Sequence, residues 1–280
     1  MSGYVISLST IPPRFGELGP TLKSLLSQTV PAERVILNIP RKYSRFPDWD
    51  GRLPEVPHGV EIRRTETDYG PATKLLPTLE EYRGTKIEIL FCDDDQIYAP
   101  FMAERFLKAR AARPEACVAV SGLHHERGDE SDEAETLQPR HIRKWRVTDL
   151  PFQIRMFGRE IRYRIKGTPV TESYRYSSLR AGYADAFQAY CGVMLREDFI
   201  LDDVFEIPEV CWMVDDIWLS GQAVANGHPV WIVSDVPSPE PAVTHHAPHA
   251  LFRSEVEGAG REDLNRAAIA HFRQTHGIWM

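Results

Sequence analysis

The 280-residue sequence has no run approaching the roughly 20 apolar residues that a membrane-spanning helix needs. Met1 to Tyr4 carry no basic patch ahead of a long apolar segment, so no secretory leader is expected. Paired cysteines are missing too. Cys92, Cys117, Cys191 and Cys211 are far apart, none sits in a CxxC pair, and each lies in an apolar run. That pattern suits reduced, buried thiols in a cytoplasmic protein and counts against a cysteine zinc site. Positive charge is in deficit: 33 Lys and Arg against 40 Asp and Glu leave a net charge of −7. Broad nucleic-acid binding relies on neutralising phosphates and is therefore not expected. There is no internal repeat. The first strand is followed by Pro12-Pro13-Arg14 and not by a glycine-rich basic loop, which counts against a nucleotidyltransferase.

What is present is a hydrophobic content of 42%, enough for a substantial core. Over the first 121 residues, short apolar runs alternate with helical patterns. Strands are expected at Tyr4–Leu8, Val35–Ile39, Val60–Ile62, Ile87–Cys92 and Cys117–Val120. Helical spacing recurs at Leu18, Leu22, Leu25 and Leu26, at Leu75–Tyr82, where Pro77 marks a kink or a late start, and at Phe101–Ala112. Alternation of this kind predicts an α/β fold with a mostly parallel sheet and helices on both faces. The rhythm stops at Gly122. Residues 126–135 hold six acids and one arginine, and residues 140–180 reverse this to eleven Lys and Arg against three acids. Order resumes with a strand over Phe187–Leu195, a helix over Val214–Ala225, a strand at Val230–Val233 and a closing helix over Arg261–His271. The expectation is one domain over 1–280. Within it lie a first half (1–121), an irregular basic insertion (122–186) and a second half (187–280).

Asp93-Asp94-Asp95 directly follows the strongest strand. In parallel α/β sheets, ligands bind beyond the carboxyl ends of strands. Three adjacent carboxylates repel one another, and a hard cation such as Mg²⁺ or Mn²⁺ offsets that repulsion while sharing ligands with substrate phosphates. Asp215-Asp216 is a second acidic pair, where one carboxylate can complement a helix start and the other can act as a general base. His245, His246 and His249 in a proline-flanked loop offer neutral imidazole ligands, although loop histidines are often merely solvated. Asp68 to Lys74, with its Gly70-Pro71 turn, and Ser9 to Arg14 after the first strand have the composition of phosphate-binding loops.

In this order, the motifs resemble the glycosyltransferases of the GT-A fold, family-2-like or family-A-like enzymes that use nucleotide sugars. The resemblance rests on Ser9-Thr10, Asp93-Asp94-Asp95, Tyr190-Cys191-Gly192-Val193-Met194 and Val214-Asp215-Asp216-Ile217-Trp218-Leu219. It spans most of residues 3–250 but not about 126–180. It implies a nucleotide-sugar pocket at Thr10, Arg14, Asp68, Lys74, Asp93 and Asp94. It also implies a divalent cation on Asp95 with Asp93 and either His245 or His246, and a catalytic base at Asp216 beside Asp215. Tyr190, Gly192 and Trp212 would face the acceptor. The implied reaction is sugar transfer from a nucleoside-diphosphate sugar, UDP-linked by family habit, with inversion at the anomeric carbon. The basic segment, including Arg143, Lys144, Arg146, Arg155, Arg159, Arg162 and Arg164 among aromatic residues, suggests an anionic glycan or glycolipid acceptor. Peripheral membrane contact through it is possible, with no inserting element expected.

Two other classes share these residues. A haloacid-dehalogenase-like phosphatase would use Asp93 as a nucleophile with Mg²⁺ and Ser121, but its acidic motif belongs on the first strand. A non-catalytic sugar- or nucleotide-binding module would explain the acids without any transfer.

Overall fold

The computed structural model describes residues 3–126, 136–144, 178–242 and 261–280, together with 150, 153–154, 157–158, 161 and 164–165. The first half runs β1 (Tyr4–Ser9), α1 (Gly19–Leu26), β2 (Arg34–Pro40), β3 (Val60–Thr65), α2 (Leu76–Glu81), β4 (Glu88–Phe91), β5 (Gln96–Ile97), α3 (Met102–Ala112), β6 (Cys117–Ala119) and β7 (Gly122–Leu123). It continues through β8 (Ile142–Arg143), β9 (Ser178–Arg180), β10 (Gly182–Ala184), β11 (Ala186–Phe187), β12 (Val193–Leu195), α4 (Asp215–Ala225), β13 (Val230–Ile232), β14 (Glu240–Pro241) and α5 (Arg261–His276).

Eight strands form one sheet in the order β10-β13-β6-β12-β4-β1-β2-β3. The pairs β1–β2, β1–β4, β2–β3 and β6–β13 are parallel. Only β12 and β10 run against their neighbours. Strand alternation divides the side chains between two cores. Val5, Ile89, Phe91, Val193, Leu195, Val230 and Ile232 face one side with α2, α4 and α5. Tyr4, Ile6, Leu8, Leu90, Met194 and Trp231 face the other with α1 and α3. The expected layering, with helices on both faces of a mostly parallel sheet, is what the structure has.

Two details differ from the expected elements, and a third decides between two expectations. The single strand over 187–195 is two, because Gly192 has φ +88° and a 3-10 turn over Ala189–Cys191 separates β11 from β12. Of a kink or a late start at Pro77, the structure has the late start: a 3-10 turn covers Gly70–Lys74, and Pro77 occupies the first turn of α2, where its missing N–H costs nothing. The stretch 122–186 is not wholly an insertion. Its last residues form β10, an edge strand of the main sheet, and Gly122–Leu123 pair with Ala186–Phe187.

Among the described residues, no helix is long and apolar enough to cross a membrane. All four cysteines are free and buried.

Candidate active site

The register pairing Ser7 with Phe91 carries Thr10 opposite Asp94 three residues further on, beyond the carboxyl ends of β1 and β4. There the acidic triplet splits into two kinds of residue. Asp94 is 6% exposed and fully engaged. Its Oδ2 accepts a hydrogen bond from Thr10 Oγ1 at 2.5 Å, and its Oδ1 accepts one from Arg14 Nη1 at 2.6 Å. Burial and Asp93 raise its pKa, against the pull of Arg14 and Thr10. Asp93 and Asp95 remain partly open, each with a side chain 31% exposed. Asp95 Oδ1 accepts from Gln96 Nε2 at 2.9 Å, and its Oδ2 lies 3.3 Å from Arg14 Nη2. Burial first, and then Asp93 and Asp94, push the Asp95 carboxyl up to about 6, with Arg14 and Gln96 pulling the other way.

Lys74 joins the two acidic motifs. Its ammonium is ion-paired with Asp93 Oδ1 and lies 2.9 Å from Asp215 Oδ2, so carboxylates more than a hundred residues apart share one cation. The Asp215 contact is an ion pair without hydrogen-bond alignment. Lys74 and Asp215 are both buried. Burial alone would lower the lysine pKa, but Asp215, Asp93 and Asp216 outweigh it and hold the value well above the ordinary one. The backbone of Lys74 is anchored from below: Ser7 Oγ donates to its carbonyl at 2.6 Å and lies 2.7 Å from Thr78 Oγ1. Asn38 Nδ2 donates to Ser7 Oγ at 3.0 Å. Sequence reasoning passed over Ser7, Asn38 and Thr78. Polar residues inside otherwise apolar strands were the available signal, since a buried hydroxyl or amide needs a partner.

The loops expected to cradle phosphate are differently occupied. Asp68 Oδ1 accepts from Gly70 N–H at 2.9 Å and its Oδ2 from Ser44 N–H at 2.7 Å, which ties the loop after β3 to the loop after β2. Thr73 Oγ1 accepts from Tyr69 N–H at 3.0 Å. Arg14 and Lys74, expected in the nucleotide-sugar pocket, are directed at carboxylates. The reason is local charge: five aspartates (93, 94, 95, 215 and 216) surround these two cations.

Asp215 and Asp216 open α4, where acids complement the helix dipole. Asp216 is half-buried, and its Oδ1 accepts from Ala189 N–H at 2.9 Å. Tyr98, another residue missed from sequence, joins the two halves of the chain. Its hydroxyl accepts from Asp93 N–H at 3.1 Å and donates to the Tyr190 carbonyl at 3.0 Å. Trp212 lies against the Gly70 turn, where φ is +56° and an added Cβ would come within 3.0 Å of the indole. Gly192 was expected to face an acceptor, but it is buried. Its missing Cβ points at Met102 Sδ, 3.0 Å away, so backbone geometry and close packing explain the glycine. Ser121, the hydroxyl a phosphatase would require, donates to Gln188 Oε1 at 2.7 Å beyond the end of β6, and β12 separates that strand from β4.

Among the described residues, no three or more His, Cys, Asp or Glu side chains are arranged to hold a metal ion. The donor chemistry still fits a hard divalent cation. Asp95 presents a partly exposed carboxylate whose repelling neighbours favour an added positive charge, and Mg²⁺ commonly takes only one or two protein carboxylates, completing its shell with water and substrate phosphate. His245, His246 and His249 lie outside the described residues, as do Arg146, Arg155, Arg159 and Arg162. The described chain reaches Ala242, whose N–H donates to the Asp95 carbonyl at 2.8 Å.

A cavity of about 570 Å³ lies beside this site rather than in it. Pro12, Phe15, Trp49, Arg52 and Leu53 are among its lining residues.

No protein-family model matches the sequence, and no curated protein matches it. Among solved structures, S. aureus TarS 1-349 is similar at 13% identity and a TM-score of 0.44, over 85% of this chain and 60% of that one. The complex of TarS 1-349 with UDP-GlcNAc is similar at 13% identity and a TM-score of 0.46, over 91% of this chain and 62% of that one. The complex with UDP gives 12% identity and a TM-score of 0.43, over 84% and 59%. The chain thus spans about three-fifths of the length of the TarS chains it resembles.

Proposed function

We propose that this chain is a glycosyltransferase that moves a sugar from a nucleoside-diphosphate sugar, UDP-linked by default, to a glycan or glycolipid hydroxyl. The observation that carries the reading is the shared cation: Lys74 holds Asp93, beyond β4, and Asp215, at the start of α4, in one site past the carboxyl ends of parallel strands.

In this reading Asp95, with the second oxygen of Asp93, would hold Mg²⁺ or Mn²⁺. A cation bound there supplies charge stabilisation for the departing diphosphate. Asp94, held by Thr10 and Arg14, anchors the middle of the triplet, and the carboxylates on either side of it, Asp93 and Asp95, stay partly exposed. Asp216 takes the proton from the acceptor hydroxyl, which is a poor nucleophile at neutral pH. The Ala189 N–H holds that carboxylate in place, and Lys74 offsets the charge of its neighbour Asp215. A single displacement with one base inverts the anomeric centre.

The test begins with thermal shifts of the purified chain against UDP, GDP, CDP and dTDP, with and without Mn²⁺. Binding to the native state alone raises the melting temperature, and a saturating ligand at a hundred times its Kd adds about 2.7 kcal/mol. A shift with one diphosphate, larger with Mn²⁺, supports the reading. Indifference to every nucleotide and activated sugar refutes it. Anomeric NMR of the product tests the base: retention would remove Asp216 from that role.

A further inference from the structure

A second surface lies away from the acidic site. The described residues between 150 and 165 are helical and exposed. Five of them are large and apolar: Leu150 at 69%, Ile154 at 71%, Phe157 at 69%, Ile161 at 41% and Ile165 at 75% exposed. Their spacings of four, three, four and four residues place them in one stripe, within an arc of about 80° at 100° per residue. A stripe this long and this exposed is not explained by the protein's own core, since none of the five belongs to either buried cluster.

The surrounding sequence decides what covers it. Residues 140–180 carry eleven Lys and Arg against three acids in a chain whose net charge is −7. In the sequence, Arg155, Arg159, Arg162 and Lys166 recur at helical spacing out of phase with the apolar set. An exposed apolar stripe, with cationic residues recurring between its members at helical spacing in the sequence, is the pattern of an element lying in a membrane interface. A second copy of the chain would bring two such cationic segments together, whereas an anionic bilayer offers apolar depth and opposite charge at once. We propose that this exposed apolar stripe docks the protein on an anionic lipid surface, with Leu150, Ile154, Phe157, Ile161 and Ile165 entering the headgroup–acyl boundary. The sequence reading allowed peripheral contact with nothing inserting; the exposed stripe supplies the inserting element. The proposal is independent of the sugar-transfer reading.

Flotation of the full chain with phosphatidylcholine vesicles, with and without phosphatidylglycerol, tests it. The chain is expected to float with the anionic vesicles and to be released as salt rises. Phe157→Glu/Ile161→Glu should weaken binding at least about tenfold, because two buried apolar side chains become charged. Arg155→Gln/Arg159→Gln/Arg162→Gln should abolish the preference for anionic lipid. Should the glutamate variant fail to fold, Phe157→Ser/Ile161→Ser reads the same loss, with circular dichroism as the fold control. Failure of the wild-type chain to float, or equal binding by the apolar variants, overturns the proposal. So does a wild-type dimer that becomes monomeric in the variants while neither floats, which would make a second copy the occupant. Nucleotide thermal shifts on the same variants keep this outcome separate from the fate of the active-site reading.

Discussion

Replacing Lys74 with methionine is the sharpest test of how the site is held together. Lys74 is 6% exposed, and its ammonium touches two carboxylates, one of them on Asp215, a residue 5% exposed. Methionine keeps the length and most of the volume, so packing loss is small. The charge loss is not small. Removing one partner of a buried ion pair leaves an uncompensated charge in poor solvent and costs about 3–5 kcal/mol. Here the orphaned group is chiefly Asp215, because Asp93 can still reach water. Urea denaturation at neutral pH, with the m-value checked for two-state behaviour, measures the loss directly. The control is Lys74→Met/Asp215→Asn, which removes the stranded charge and should recover more than half of it. The native pKa of Lys74 lies above its ordinary value, so its contribution is present below pH 10.5 and is lost only as pH rises through the higher native value. The wild-type advantage over Lys74→Met should therefore persist at pH 10. A loss below about 1 kcal/mol, or no recovery in the double variant, would show that Lys74 does not bind the two motifs together, and the active-site reading would fall with it.

Asp95 titrates near 6 in the fold against an ordinary 3.8, so the native state prefers its protonated form. Its stabilising contribution is complete below about pH 4 and lost as pH rises through 6. Without divalent ions, Asp95→Asn should match wild type near pH 4 and exceed it by about 1–2 kcal/mol at pH 8, a figure already reduced for partial exposure; equal stability at both pH values would contradict the crowding of charge. His141 shows the opposite sense: burial, then His124, Arg143 and Arg140, lower it to about 4, so stability is full above pH 6.5 and falls as pH drops toward 4, by at most about 3 kcal/mol. An unchanged acid slope in His141→Gln would remove that account. At Gly221 in α4, an added Cβ would lie 2.3 Å from the Phe272 ring of α5. Gly221→Ala should cost about 1–3 kcal/mol in thermal unfolding through overpacking, and a neutral result would mean that α5 sits further from α4.

Much of the layering was readable because periodicity is local. Tyr4–Leu8 and Ile87–Cys92 announce themselves by apolar runs, and the aspartates that follow the second run announce a strand end. Pairing over distance was not readable. Nothing near Lys74 in the chain indicates that its partners are Asp93 and Asp215, and composition led to the expectation of a free phosphate contact. The same blindness hid the hydrogen bonds of Asp94 to Thr10 and Arg14, which make the middle acid of the triplet structural. Gly192 entered the acceptor set only through the resemblance, and periodicity could not show that the fold needs a glycine there for a positive φ against Met102.

The reversed course of β12 has a consequence for how such a chain could diversify. Because Val193 pairs with Phe91 and Leu195 with Ile89, the segment entering β12 arrives at the rim where β4 releases its aspartates. Between Arg143 and Ser178 the chain leaves and re-enters through one pair of short strands, β8 and β9. Chain of any length could be spliced between those two strands without disturbing the order of the eight in the main sheet, so that segment is free to change while the strand ends that carry the aspartates stay in place.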